Sequence, residues 1–259
     1  MPADKAQEAG GDGKKIFLLY PHSVIKEEML DILIMNGFET YTLHDHKRAK
    51  RLFEIFPDSI AFINIDEGMQ EKEWEAYIRD LMQNPKTKNF RIGILSYNQD
   101  KDLMQKYLMD ISVPCGYIQL KLGVQASTKI IINALEVNEA RGRRKYLRAN
   151  CEDDSTAALN FKHDNQFCQG KIIDISAVGI AARITCAKAL VVKSVIKEIQ
   201  FRLRGTLIMT DMIFIGTCSD RKDVCIFLFD HGKLTQNNKN VIYHFIKQTL
   251  QRFIDHIKI

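Results

Sequence analysis

Five of the eight residues from Arg141 to Arg148 are basic: Arg141, Arg143, Arg144, Lys145 and Arg148. A run of that density calls for an anion. Within it, Arg144 and Arg148 stand four residues apart, a spacing that puts both guanidinium groups on one side whether the segment is helical or extended. Further along, Asp174, Ser176 and Gly179 form a D-x-S-x-x-G pattern. Strand alternation there places Ile173 and Ile175 on one face and Asp174 and Ser176 on the other, so the two polar side chains share a surface. Gly179 is expected to supply a positive φ, or room for a ligand to approach the backbone. Arg141 and Arg143 are read as supporting cations. The chain shows no nucleophile with an adjacent base, no spaced metal ligands and no phosphate-cradling glycine loop, and it reads as a sensor, not an enzyme.

The elements that must position these residues follow from periodicity. From residue 148 onward, short β-branched and aromatic runs separated by turns read as strands at 157–161, 167–175, 178–184, 195–203, 206–218 and 223–229. No amphipathic helix intervenes between neighbours, which predicts an antiparallel six-stranded barrel. A helix follows, with Ile242, Phe245, Ile246, Leu250, Phe253 and Ile257 as its apolar stripe against the barrel and Asn237 and Asn238 as cap candidates.

The 259 residues favour two compact units over one. At 46% hydrophobic and 27% charged, the composition excludes collagen-like, low-complexity and mainly disordered classes. No apolar run is long enough to span a membrane, and the start has no signal-peptide stretch, so a cytoplasmic protein without membrane insertion is expected. Charge is asymmetric: residues 1–140 hold 17 Lys+Arg against 21 Asp+Glu, whereas 141–259 hold 20 against 11. The six cysteines have wide, irregular spacings and are expected as buried free thiols, not a zinc site. His44 and His46, flanking Asp45, read as a solvated loop at a strand end.

Residues 1–13 are expected to be a disordered tail. From 14 to 140, strands at 16–20, 40–43, 60–65, 91–97 and 116–120 alternate with helical segments near 23–36, 46–56, 71–83, 100–111 and 124–140. Five βα units of this kind imply a parallel sheet covered on both faces, and they resemble the receiver domain of bacterial two-component signalling. The acidic pair that such a domain needs after its first strand to hold magnesium is replaced by Tyr20, Pro21 and His22. Asn64 and Asp66 compete for the phospho-acceptor position, while Ser96 and Lys121 match the family's hydroxyl and lysine. Without the metal carboxylates, the unit reads as receiver-like but not phosphorylated, serving as a scaffold or partner surface.

The second half, 141–259, carries the more specific resemblance. R-x-x-x-R before the first strand, D-x-S-x-x-G at the end of the second, and the barrel with a terminal helix together resemble the PilZ domain, the bacterial receptor module for cyclic di-GMP. Arginine's planar fork suits both a phosphate and the O6 and N7 acceptors of guanine. An aspartate accepts from guanine N1 and N2 donors that adenine does not reproduce, and Ser176 can bond a phosphate or fix the turn. The resemblance implies ligand roles for Arg144, Arg148, Asp174, Ser176 and Gly179, with cyclic di-GMP as ligand and no cofactor or metal. It implies signalling to a protein partner, motility regulation among the possible outputs, with the linker motif 141–148 clamped by ligand so that the domains reorient. Two other readings stand beside it: a nucleic-acid-binding response regulator, which the lack of a helix-turn-helix pattern disfavours, and a non-binding interaction scaffold.

Overall fold

A computed structural model describes residues 13–187 and 190–259. The expected tail at 1–13 lies outside the described residues except for Gly13. The chain divides into two compact units, one running to Lys145 and including Phe253–Ile259, the other spanning Tyr146–Arg252.

In the first unit five strands alternate with helices: β1 (Ile16–Leu19), α1 (Ser23–Met35), β2 (Thr40–Leu43), α2 (His46–Ile55), β3 (Ile60–Asn64), α3 (Glu71–Gln83), β4 (Arg91–Ser96), α4 (Lys101–Gln105), β5 (Tyr117–Gln119) and α5 (Val124–Val137). All strand pairs are parallel, in the order β2-β1-β3-β4-β5. Helices cover both faces of the central strands, so all four residues of β1 and all five of β3 are buried, and all of these are apolar except Asn64 at the end of β3. The segment expected as one helix over 100–111 is a short α-helix that passes into a π turn at Lys106–Asp110.

The Asp45 carboxylate, flanked by His44 and His46, caps α2 by accepting from the backbone N–H groups of Lys47 at 2.8 Å and Arg48 at 3.1 Å. These otherwise orphaned donors, Arg48 foremost, hold its carboxyl below the usual range.

The second unit contains β6 (Arg148–Asn150), β7 (Ala158–His163), β8 (Gln166–Ser176), β9 (Gly179–Ile184), β10 (Val195–Leu203), β11 (Thr206–Thr217), β12 (Cys225–Phe229) and all but the last three residues of α6 (Gln236–Asp255). Pairing runs β8-β7-β10-β11-β12-β9 and returns to β8, closing an antiparallel six-stranded barrel, with β6 added to the far half of β8. Two hairpins turn on pairs of residues with positive φ, Asp164-Asn165 between β7 and β8 and Arg204-Gly205 between β10 and β11, as the twist of tight two-residue loops requires. Phe161, Phe201, Phe214, Phe227 and Phe229 fill the interior. Helix α6 buries Ile242, Phe245, Ile246 and Leu250. Arg204 ties it to the barrel by donating to Gln248 and Thr249 and stacking 4.9 Å over the Phe245 ring. Its cap is Thr235, whose hydroxyl accepts from Asn238 N–H, not Asn237 or Asn238. Phe253 and Ile257, expected on the barrel-facing stripe, fall with the first unit.

The cysteine expectation is corrected for one pair, since Cys168 and Cys186 form a disulfide with Cα atoms 5.6 Å apart. The β8–β9 ladder pairs Gly170 with Ile184 and continues through Thr185 N–H to Gln169 C=O. The next positions outward, 168 and 186, therefore face each other at a separation a disulfide spans. Cys115, Cys151 and Cys225 are buried free thiols, while Cys218 departs from the expectation in being free but only partly buried; burial pushes Cys151 up to about 12 and Cys115 up to about 11.

Replacing Asp45 by Ala is expected to cost about 0.5–1 kcal/mol at pH 7, read as a lower midpoint for the transition that melts the parallel-sheet unit. A lowered folded-state pKa contributes stability above the unfolded carboxylate pKa and loses it as pH falls through the folded value. The difference between wild type and D45A should accordingly vanish in acid.

Candidate ligand-binding site

The D-x-S-x-x-G segment forms the end of β8, a turn, and the start of β9. Ladder pairs join Asp174 to Ala181, Ile175 to Ile180 and Ser176 to Gly179, with a register shift between Ile172 and Asp174. This bulge resets the alternation expected from sequence. Ile173 packs with Ala181, Val224 and Cys218 in a small cluster of its own, apart from Ile175. Ser176 is buried, and its hydroxyl spans the turn, donating to Gly179 C=O and accepting from Val178 N–H, each at 3.3 Å. Of the two uses open to Ser176 in the sequence, the turn is the one occupied here.

Gly179 has no positive φ. Its lack of a side chain answers a close approach instead: a Cβ there would lie 2.2 Å from the carbonyl oxygen of Phe227 and 3.2 Å from Leu228 Cα. Both atoms belong to β12, which pairs with β9 through Gly179 and Leu228. Glycine is thus required for barrel closure.

Strand β6 lies antiparallel to this segment, pairing Arg148 with Ser176 and Asn150 with Asp174. Arg148 thereby reaches the same place as the hairpin, and Arg148, Asp174, Ser176 and Gly179 line one pocket together. Its other wall is the β11–β12 connection, which adds Cys218 and Arg221. Asp174 is mostly shielded, its side chain 17% exposed. Its carboxylate sits between two guanidinium groups, Oδ1 at 3.6 Å from Arg148 Nη1 and Oδ2 at 3.9 Å from Arg221 Nη2. Both arginines are more than 40% exposed, so each pair is a screened, loose attraction worth about 0–1 kcal/mol.

Arg221 was not legible in the sequence. It stands 47 positions after Asp174 in an ordinary polar turn, Asp220-Arg221-Lys222-Asp223, and meets Asp174 only because β9 pairs with both β8 and β12. The turn is braced by Cys218 N–H to Val224 C=O and Val224 N–H to Arg221 C=O, both at 2.8 Å. Arg183 also pairs with Asp223, and through its other nitrogen with Glu152 just beyond β6.

The remaining sequence candidates lie elsewhere. Arg144 and Arg143 are exposed residues of the irregular segment before β6 and do not line the pocket. Arg141 is committed to the first unit: it donates to Asn36 C=O at 2.7 Å, pairs with Glu136 at 3.2 Å and stacks 4.7 Å over the Phe38 ring. A guanidinium at that carbonyl answers the unpaired groups at the C-terminus of α1.

At the carboxyl edge of the parallel sheet, β3 ends at Asn64, which is buried and donates to Tyr20 C=O at 2.9 Å. Both Asp66 oxygens are engaged, one by the Ser96 hydroxyl and the other by Tyr97 N–H, each at 2.6 Å. Lys121 donates to Gln99 at 3.3 Å. Tyr20, which stands in place of an acidic residue after β1, reaches His46 Nδ1 through its hydroxyl at 3.2 Å. Among the described residues no group of three or more His, Cys, Asp or Glu side chains is placed to hold a metal ion, and no helix is long and apolar enough to cross a membrane.

With the geometry in place, the fold and site define a two-unit protein, a receiver-like parallel sheet followed by a closed barrel with a cation-rimmed pocket. A scan against protein-family models finds no match to the sequence, and a search of curated proteins finds none. Among solved structures, the chain is similar to the PilZ domain of YcgR from Escherichia coli with c-di-GMP: 18% identity, 44% of this chain, 99% of that chain, TM-score 0.36. It is similar to the c-di-GMP complex of MrkH from K. pneumonia at 18% identity, over 39% of this chain and 50% of that one, TM-score 0.34; it thus spans about half the length of MrkH. The signal receiver domain of the putative response regulator NarL from Mycobacterium tuberculosis matches at 15% identity, over 50% of this chain and 99% of that domain, TM-score 0.38.

Because Asp66 has both oxygens bonded and, among the described residues, no group of three or more His, Cys, Asp or Glu side chains is placed to hold a metal ion, incubation with acetyl phosphate and magnesium is expected to leave the intact mass unchanged. A phosphate adduct mapped to Asp66 would contradict this.

Proposed function

We propose that the protein is a receptor for cyclic di-GMP that signals to a protein partner, not an enzyme. The observation that carries the reading is the convergence of Arg148 with Asp174, Ser176 and Gly179 on one pocket, from segments 26 positions apart in the chain. A carboxylate flanked by forked cations suits a guanine edge bearing N–H donors next to a phosphate. Binding exchanges the loose ion pairs that Asp174 makes with Arg148 and Arg221, worth about 0–1 kcal/mol each, for base and phosphate contacts of about 1–3 kcal/mol each. The exchange favours the ligand.

Arg144 completes the set on the motif spacing, and Arg143 adds positive potential beside it. Both lie in the segment leading into β6, so a ligand that engages Arg144 and Arg148 together orders this segment and biases the arrangement of the units on either side. The output is an altered surface presented to a protein partner, with regulation of motility as one such output.

Calorimetric titration of the full chain with cyclic di-GMP should give saturable heat, with Arg148→Ala and Asp174→Ala each weakening affinity about 10- to 100-fold. Absence of heat in the wild type, or unchanged affinity in both variants, removes the reading. If ordering of 141–148 accompanies binding, trypsin cleavage after Arg143, Arg144 and Lys145 should slow severalfold in saturating ligand. An unchanged cleavage rate removes the ordering step while leaving binding intact.

A further inference from the structure

We propose that Arg221, from the connection between β11 and β12, is a ligand-contacting residue of this pocket, the counterpart of Arg148 at the other oxygen of Asp174. The proposal rests on the cyclic di-GMP reading and extends it to a position outside both sequence motifs. Arg148 and Arg221 address different oxygens of one carboxylate, at 3.6 and 3.9 Å. A guanine edge presenting N1 and N2 donors takes up both of those oxygens at once. The two guanidinium groups then lose their shared partner together, beside a ligand that carries two phosphates. Arg148 turns to one phosphate and Arg221 to the other, so each phosphate meets one guanidinium within the barrel unit.

Arg221 is suited to this by its setting. Its turn is closed by two backbone hydrogen bonds and tied down by the Arg183–Asp223 pair, so little ordering is left for binding to impose. Its side chain remains 42% exposed and able to swing from carboxylate to phosphate. Lys222, the next residue, is exposed on the same turn but does not line the pocket.

Calorimetry with cyclic di-GMP on the full chain tests this with Arg221→Ala, Lys222→Ala, Asp174→Asn and the double variant Arg221→Ala/Asp174→Asn, each checked for an unchanged far-ultraviolet spectrum and unfolding midpoint. Arg221→Ala should weaken binding about tenfold or more, and Lys222→Ala less than about twofold, the scale of a screened surface charge. The effect of R221A should persist in the D174N background, because a contact to ligand survives loss of the carboxylate whereas a role in holding Asp174 does not. Wild-type binding with R221A unchanged, or an R221A effect that disappears in the D174N background, overturns the role of Arg221 and leaves the receptor reading standing. No binding by the wild type overturns both.

Discussion

Closure of the barrel along β9 is the constraint on which the site depends. The carbonyl of Phe227 lies so near Gly179 that even a methyl group would collide with it. That contact lets β12 lie along β9 while β9 lies along β8. A side chain at 179 would push β12 away, and the β11–β12 turn would move with it, taking Arg221 from Asp174. The glycine of the motif therefore acts on the pocket through backbone packing, and the ladder transmits its effect from one wall to the other.

The polar side chains of the pocket divide into those spent on the fold and those left to respond. Ser176 is buried with its hydroxyl committed to the turn, where an unsatisfied partner would be costly. Asp174, Arg148 and Arg221 are held by longer contacts near solvent, weak enough to exchange. A rigid hairpin carrying a loosely held trio is the arrangement expected of a binding site, because ordering costs are met in folding and the charges stay exchangeable.

The parallel-sheet unit shows the opposite balance. At its carboxyl edge, where open α/β sheets commonly bind ligands, Asn64, Asp66, Ser96 and Tyr97 are joined to one another and to Tyr20 by hydrogen bonds. An aspartate with both oxygens already accepting has the character of a structural tie. Arg141 and Asp45 serve the same unit in the same way, one at a helix C-terminus and one at a helix N-terminus.

Much of this was legible in the chain. Period-two and period-3.6 apolar patterns report burial on one face, and they placed the strands of the parallel sheet and of the barrel within a few residues of where they lie. The exception is β6, Arg148–Asn150, which carries no apolar run to announce it. Arg148, Asp174, Ser176 and Gly179 were readable as a set because each sits in a local motif whose geometry is carried by neighbouring residues. Three things were decided only by tertiary structure: the Cys168–Cys186 bridge, the bulge at Ile173 that breaks the alternation, and the meeting of Arg221 with Asp174. Each depends on which strand lies beside which and in what register, and that is settled by barrel closure, a property of distant segments packing together that no local spacing encodes.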